Sequence, residues 1–210
     1  MDRFKKRIII YVTAYITLCI TTILHEMGHS ITAYLFKIKN NPFDITYSTK
    51  LFMLGTSENV DYDKVSKLIK YKAILISSAG LIVNFIFAIS LIILLVLFYK
   101  KFNKFIYFVL YSFLFWNINE FFNYLVIRNI FLRGDVANTV TYGMPHIFVL
   151  ILGIGSSLIL VYFLFSKVNK NLFMLFDCTI NQTINLSKKI TLIFTICQVV
   201  TLYNALFSYS

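Results

Sequence analysis

Apolar stretches longer than about 18 residues recur along this chain, and that length matches the hydrocarbon thickness of a bilayer rather than the size of an ordinary core. In lipid a backbone has to satisfy its own polar groups, so such stretches fold as helices. Composition agrees: of 210 residues, 59% are hydrophobic and 14% charged, whereas a soluble domain is about 45–50% apolar and about a quarter charged. The chain reads as an all-α multi-pass membrane protein. No Gly/Ser-rich linker, low-complexity tract or internal repeat divides it, and subtracting the spans leaves too little for a further soluble domain. Residues 1–210 are therefore expected to form a single membrane domain, with its core over 7–140 and carboxyl-terminal helices over 146–207.

The pattern predicts spans over about residues 7–36, 73–99, 105–127, 146–165 and 190–207, with 166–189 either an interfacial helix or a loop. Between the first two lies a polar connection with its own order. After Pro42, "FDITYSTKLFM" alternates, with Phe43, Ile45, Tyr47, Leu51 and Met53 on one face and Asp44, Thr46, Ser48 and Lys50 on the other. That is the signature of a short strand or hairpin, ended by Gly55. Next, "DYDKVSKLIKYK" sets Val65, Leu68 and Ile69 against Lys64, Lys67 and Lys70, an amphipathic helix suited to the interface. The basic start "MDRFKKRIII" resembles a signal peptide, but the apolar stretch behind it is too long and lacks a small-residue cleavage site, so a retained span is expected.

The net charge of +11 is carried mostly beside the spans, where it faces lipid headgroups; a nucleic-acid partner is not expected. Basic residues divide almost evenly between the two sides, so they do not set orientation. Cys19, Cys178 and Cys197 show no CxxC spacing, and no disulfide framework follows. The Ile, Lys, Asn and Phe bias suits an AT-rich bacterial genome, which points to a bacterial cytoplasmic membrane.

Near the end of the first span, "ILHEMGHSITAYLF" carries His25, Glu26 and His29 as HExxH. On a helix, i and i+4 share a face, so both imidazoles reach one metal ion. Glu26 is offset by about 100°, which suits a general base acting on a water held there. Ionisable groups inside a span are costly, and their default reading is functional. The second span opens with "ISSAGLIVNFIFAISL", where Ser77, Ser78, Ala79 and Gly80 permit close helix approach and Asn84 needs a polar partner. In the third, Ser112, Trp116, Asn119 and Asn123 form a helical stripe that Glu120 adjoins.

Taken together, HExxH, "AGLIVN" and "NYLVIRNIFLRGDVAN" resemble the site-2 protease family of intramembrane zinc metalloproteases, across about residues 7–140. The family's second motif is AGPxxN, with Leu81 here in place of proline. Its third core helix ends in NxxP followed by Asp-Gly; here Asn123 matches, Val126 replaces the proline, and Asp135 is followed by Val136. The resemblance implies one zinc ion per chain held by His25, His29 and Asp135, with Glu26 as general base and Asn84 and Asn123 positioning substrate. Glu120 is an alternative third ligand or a hydrogen-bonding partner of a ligand, and His146 a further alternative. The implied activity is hydrolysis of peptide bonds in or near a transmembrane segment of a membrane-protein substrate, with the Phe43–Met53 strand offering that substrate an edge. Three rivals are a catalytically inactive family member acting as a membrane scaffold, a small transporter using the polar third helix, and a different membrane HExxH protease with a glutamate third ligand, for which no downstream ExxxD-like helix is found.

Overall fold

The computed structural model describes residues 3–48 and 55–207. Its helices are α1 (Arg3–Leu35), α2 (Tyr62–Ser66), α3 (Lys70–Leu97), α4 (Lys104–Phe122), α5 (Asp135–Thr141), α6 (His146–Phe163), α7 (Asn169–Leu175) and α8 (Ile180–Phe207). Two π-helical turns extend this framework: Asn123–Arg128 prolongs α4, and Leu164–Val168 joins α6 to α7. Among the described residues, five stretches are long and apolar enough to cross a membrane: Arg7–Leu35, Lys70–Leu97, Lys104–Arg128, His146–Leu175 and Ile180–Tyr203. Their outer faces carry exposed apolar side chains such as Ile16, Ile93, Ile151 and Ile193, the surface that lipid covers.

Four expectations are corrected. The fourth span does not end near Phe165 but runs to Leu175, because the π turn carries the helix onward. The fifth begins at Ile180, since Thr179 and Gln182 form a reciprocal cap: the Gln182 side chain accepts from the Thr179 amide (2.9 Å) and the Gln182 amide donates to the Thr179 hydroxyl (3.4 Å). The stretch 166–189 is therefore mostly helical. The expected strand is not formed over residues 43–48; one antiparallel bridge pairs Thr46 with Ser57, through backbone hydrogen bonds of 2.9 and 3.0 Å. Local partners take the neighbouring backbone groups instead. Asn41 receives the amides of Phe43 and Asp44, and the Lys39 ammonium takes the Asp44 carbonyl. The rest of that predicted strand, 49–53, lies outside the described residues. The expected amphipathic helix is cut short as well: α2 starts on an Asp61 cap and ends at Ser66, while Lys70–Lys72 already belong to α3.

The centre of the molecule is the meeting of α1, α3 and α4. Small residues bring α1 and α3 together: a Cβ on Gly28 would lie 2.9 Å from the Ala79 carbonyl oxygen and 2.9 Å from Val83 Cγ2. Backbone therefore nearly touches backbone there, as small residues allow between membrane helices. α4 is tied to α1 by Trp116, whose indole N–H donates to the Ala14 carbonyl at 2.8 Å. Across α3, α4 and the α6–α7 rod lies an apolar cluster that includes Leu95, Tyr107, Leu114, Ile118 and Leu164. Tyr107 is fully buried there, and its hydroxyl donates to the Val168 carbonyl (3.0 Å). α8 leans on this body lightly, with Phe194 its one buried described residue.

Gly28→Ala should destabilise the protein by about 1–3 kcal/mol, because the obstacle it meets is backbone that has no rotamer to yield. Gly155→Ala should be neutral or slightly stabilising: it lies mid-helix with nothing within 4 Å of its Cβ position. Thermal unfolding in detergent of the two variants beside the parent checks both.

Candidate metal centre

Three helices deliver the side chains of the site. His25 and His29 stand one turn apart on the face of α1 pressed against α3, and are 2% and 1% exposed. Their Nε2 atoms are 3.3 Å apart, and Asp135 Oδ2 lies 3.0 Å from each. Among the described residues, these form a group of His, Cys, Asp or Glu side chains whose ligand atoms all lie within 4.8 Å of one another. Two neutral imidazole nitrogens and one carboxylate oxygen, converging from a buried pocket, are a donor set that zinc accepts.

The opposite ring nitrogens decide whether the Nε2 lone pairs point inward. At His29, Nδ1 donates to the Ile76 carbonyl at 2.7 Å, which leaves Nε2 as the acceptor facing the group. At His25, Nδ1 stands 3.0 Å from the Asn84 amide nitrogen, while Asn84 Oδ1 is buried without a protein partner. Exchanging the two ends of that amide lets Oδ1 accept from Nδ1–H, gives the orphaned oxygen a donor, and sets His25 in the same tautomer as His29. Asn84 is itself fully buried, so its contact with His25 is not diluted by solvent.

Space for the rings comes from the residue opposite. A Cβ on Gly80 would lie 2.5 Å from His29 Nε2 and 2.6 Å from His25 Nε2, so any side chain there would displace both. The same helix crossing that joins Gly28 to Ala79 thus leaves the gap at Gly80 in which the imidazoles meet.

Asp135 is brought up by a turn that only glycine takes readily: Gly134 has φ 62° and ψ −143°. The glycine comes before the aspartate here, rather than after it. From its place at the start of α5, Asp135 is fixed through Thr139, whose hydroxyl reaches the Asp135 carbonyl (2.7 Å) and the Ser77 hydroxyl of α3 (2.9 Å). α4 does not break at Val126. It widens into the π turn, from which Tyr124 stacks on His25 (centroids 4.9 Å, planes 28° apart) with the Arg128 guanidinium 4.1 Å above the tyrosine ring.

Glu26 is half-buried beside His25, and Glu58, on the connection before α2, is near enough to act on its carboxyl electrostatically. Tyr62 donates its hydroxyl to Glu58 Oε1 at 2.8 Å. Burial opposes ionisation of Glu58, yet interactions with its neighbours, the Tyr62 hydroxyl among them, outweigh it and hold that carboxyl below its ordinary value.

The remaining expected residues stand apart. Glu120 is outside the three-ligand group and acts electrostatically on Tyr124 and Arg128. His146 Nε2 donates to the Asn129 carbonyl (3.0 Å) at the start of α6. Asn123 opens the π turn with Oδ1 buried and without a protein partner. Sequence reading missed Glu58, Tyr62, Tyr124 and the Ile76 carbonyl. A tyrosine or a carbonyl in an apolar run carries no signal of its own, and Glu58 sits in a polar connection where carboxylates are ordinary.

No curated protein and no solved structure shows significant similarity to the chain. The model of peptidase family M50 matches residues 13–206, nearly the whole length, so the chain belongs to peptidase family M50, the site-2 protease family.

Proposed function

We propose that this protein is an intramembrane zinc metalloendopeptidase that hydrolyses peptide bonds in or near a transmembrane segment of a membrane-protein substrate. Membership of the family implies a membrane metalloprotease, and five apolar helices make the chain an integral membrane protein. The observation that carries the finer reading is the approach of Asp135 Oδ2 to within 3.0 Å of both imidazole Nε2 atoms, with Glu26 next to them on α1. In this reading the whole chain works as one membrane domain that holds one zinc ion, with the bilayer and a spanning substrate as partners. Its composition favours a bacterial cytoplasmic membrane.

Zinc, when bound, supplies a Lewis acid that polarises a carbonyl and lowers the pKa of a water towards about 7. This chain's residues do the rest. His25, His29 and Asp135 present the ligand atoms. Asn84 and the Ile76 carbonyl hold Nδ1 of the two rings, so each Nε2 lone pair faces inward. Glu26 takes the proton from the attacking water and returns it to the leaving amine. With Asn84 Oδ1 turned to His25, its N–H groups remain as donors for the oxygen that gains charge on the scissile carbonyl. Asn123, with an unpartnered buried oxygen, has acceptor capacity for a substrate N–H.

Zinc per mole of purified protein is the first test. The parent should hold about one ion per chain, Glu120→Gln should keep it, and Asp135→Ala should lose most of it. Zinc retained after Asp135→Ala would overturn the ligand set. Asn84→Ala should weaken zinc binding by about 10–100-fold in competition with a chelator, since the ring it orients would swing. Glu26→Gln should keep its zinc while cleavage of a co-expressed panel of single-span membrane proteins, read as fragment masses, falls by about 100-fold or more. Undiminished cleavage in that variant would remove Glu26 from the role of base.

A further inference from the structure

A hydrogen bond at Nδ1 aims one edge of an imidazole, but it leaves the plane of the ring free to turn about that bond. Metal binding needs the plane as well, because the Nε2 lone pair lies in it. At His25 the edge is aimed by Asn84 (3.0 Å). The ring face meets Tyr124, nearly parallel, with centroids 4.9 Å apart and planes at 28°. His29 in turn meets His25 edge-on, with centroids 5.0 Å apart. Whatever sets Tyr124 therefore bears on both rings. Tyr124 stands near the opening of the π turn, one turn before Arg128, whose guanidinium lies 4.1 Å from its ring centre. Both side chains also press on the turn that delivers the third ligand. A Cβ on Gly134 would lie 3.3 Å from Arg128 Nη1 and 3.4 Å from Tyr124 Cε1. The chain between is folded back tightly: the Arg133 amide donates to the Arg128 carbonyl (3.0 Å), the Leu132 amide to the Asn129 carbonyl (3.2 Å), and Leu132 is left-handed at φ 48°.

An arginine closing a membrane span ordinarily stretches out to water or headgroups. Arg128 closes such a span, yet it is half-buried and folded over a tyrosine, against the glycine that precedes a ligand. A guanidinium over an aromatic face attracts it and fixes its place. The backbone that carries the pair is a π turn, a rare form found often at functional sites. His29 and Asp135 are already referred to α3, through the Ile76 carbonyl and through Thr139 and Ser77. The stack adds a reference to α4. We propose that Tyr124 and Arg128 are positioning residues of the metal centre: Tyr124 sets the plane of His25 by stacking, and Arg128 holds Tyr124 against the Gly134 turn, so that His25 and Asp135 keep their registry. The inference rests on the metal-centre reading, since only a shared ion makes that registry matter.

The test uses the full chain in detergent, with the metal alone as probe. Zinc affinity is read by competition with a chelator, and the arrangement of ligands by the visible absorption bands of the cobalt(II)-loaded protein. Tyr124→Leu should weaken zinc binding by about tenfold and alter the cobalt bands. Tyr124→Phe, which keeps the stacked ring, should stay within about twofold of the parent and keep its bands. Arg128→Gln, which removes the cation and leaves the ring, should weaken zinc binding by about fivefold. Residues that only pack would lower the thermal midpoint and leave both metal readouts alone. Parent-like affinity and bands in Tyr124→Leu or in Arg128→Gln therefore overturn the proposal, and where Tyr124→Leu does not fold, Arg128→Gln decides. Equal weakening in Tyr124→Phe and Tyr124→Leu also overturns it, because the hydroxyl rather than the stacked ring would then be what matters. A parent that binds neither zinc nor cobalt takes down the ligand set and this inference together. A parent that binds both, with variants that match it, takes down this inference alone.

Discussion

The near-contact of two helix backbones at Gly28 and Ala79–Gly80 governs the rest of the structure. In a bilayer the apolar surfaces of helices gain nothing from leaving water, so association depends on close packing and on polar contacts across the seam. Here close packing and polar contact come from the same few residues. Gly28 lets the Ala79 carbonyl approach α1, and one residue on, Gly80 opens the gap that the two imidazoles enter. A larger side chain at either glycine would part the helices, and with them every distance within the donor set.

Around that seam several polar groups are held by neighbours on a different element, which is how a buried polar group is tolerated in an apolar setting. The Ile76 carbonyl and Asn84 hold the rings from α3, and Tyr124 stacks on one of them from the π turn. Asp135 comes from α5, itself fastened to α3 through Thr139 and Ser77. The connection carrying Glu58 closes the arrangement from outside the helices, anchored by a lysine whose charge is taken up by two carbonyls and a hydroxyl. Rigidity in the site therefore comes from cross-links between elements rather than from any one helix.

Some of this was legible beforehand, and the reasons are specific. HExxH places two histidines on one helical face by period alone, and the small residues of "SSAG" announce a close crossing. Membrane helices declare themselves through length and hydrophobicity, because no other fold hides their backbones in lipid. The helix limits were harder. A π turn at Leu164–Val168 and the cap at Thr179–Gln182 moved the last two spans away from where hydropathy alone placed them. The alternating run after Pro42 misled for a different reason: alternation needs a partner strand to become one, and turns and the Lys39 ammonium took the backbone groups instead.

By itself, then, the sequence determined the number and nature of the apolar helices, the shared face of His25 and His29, and the glycines at which helices could touch. All of these follow from local period and side-chain size. Tertiary structure alone decided which carboxylate stands between the imidazoles, which atoms hold their far nitrogens, and that Tyr124 stacks on His25. Those pairings join residues far apart in the chain, and no periodicity within one element specifies which of its faces another element will meet.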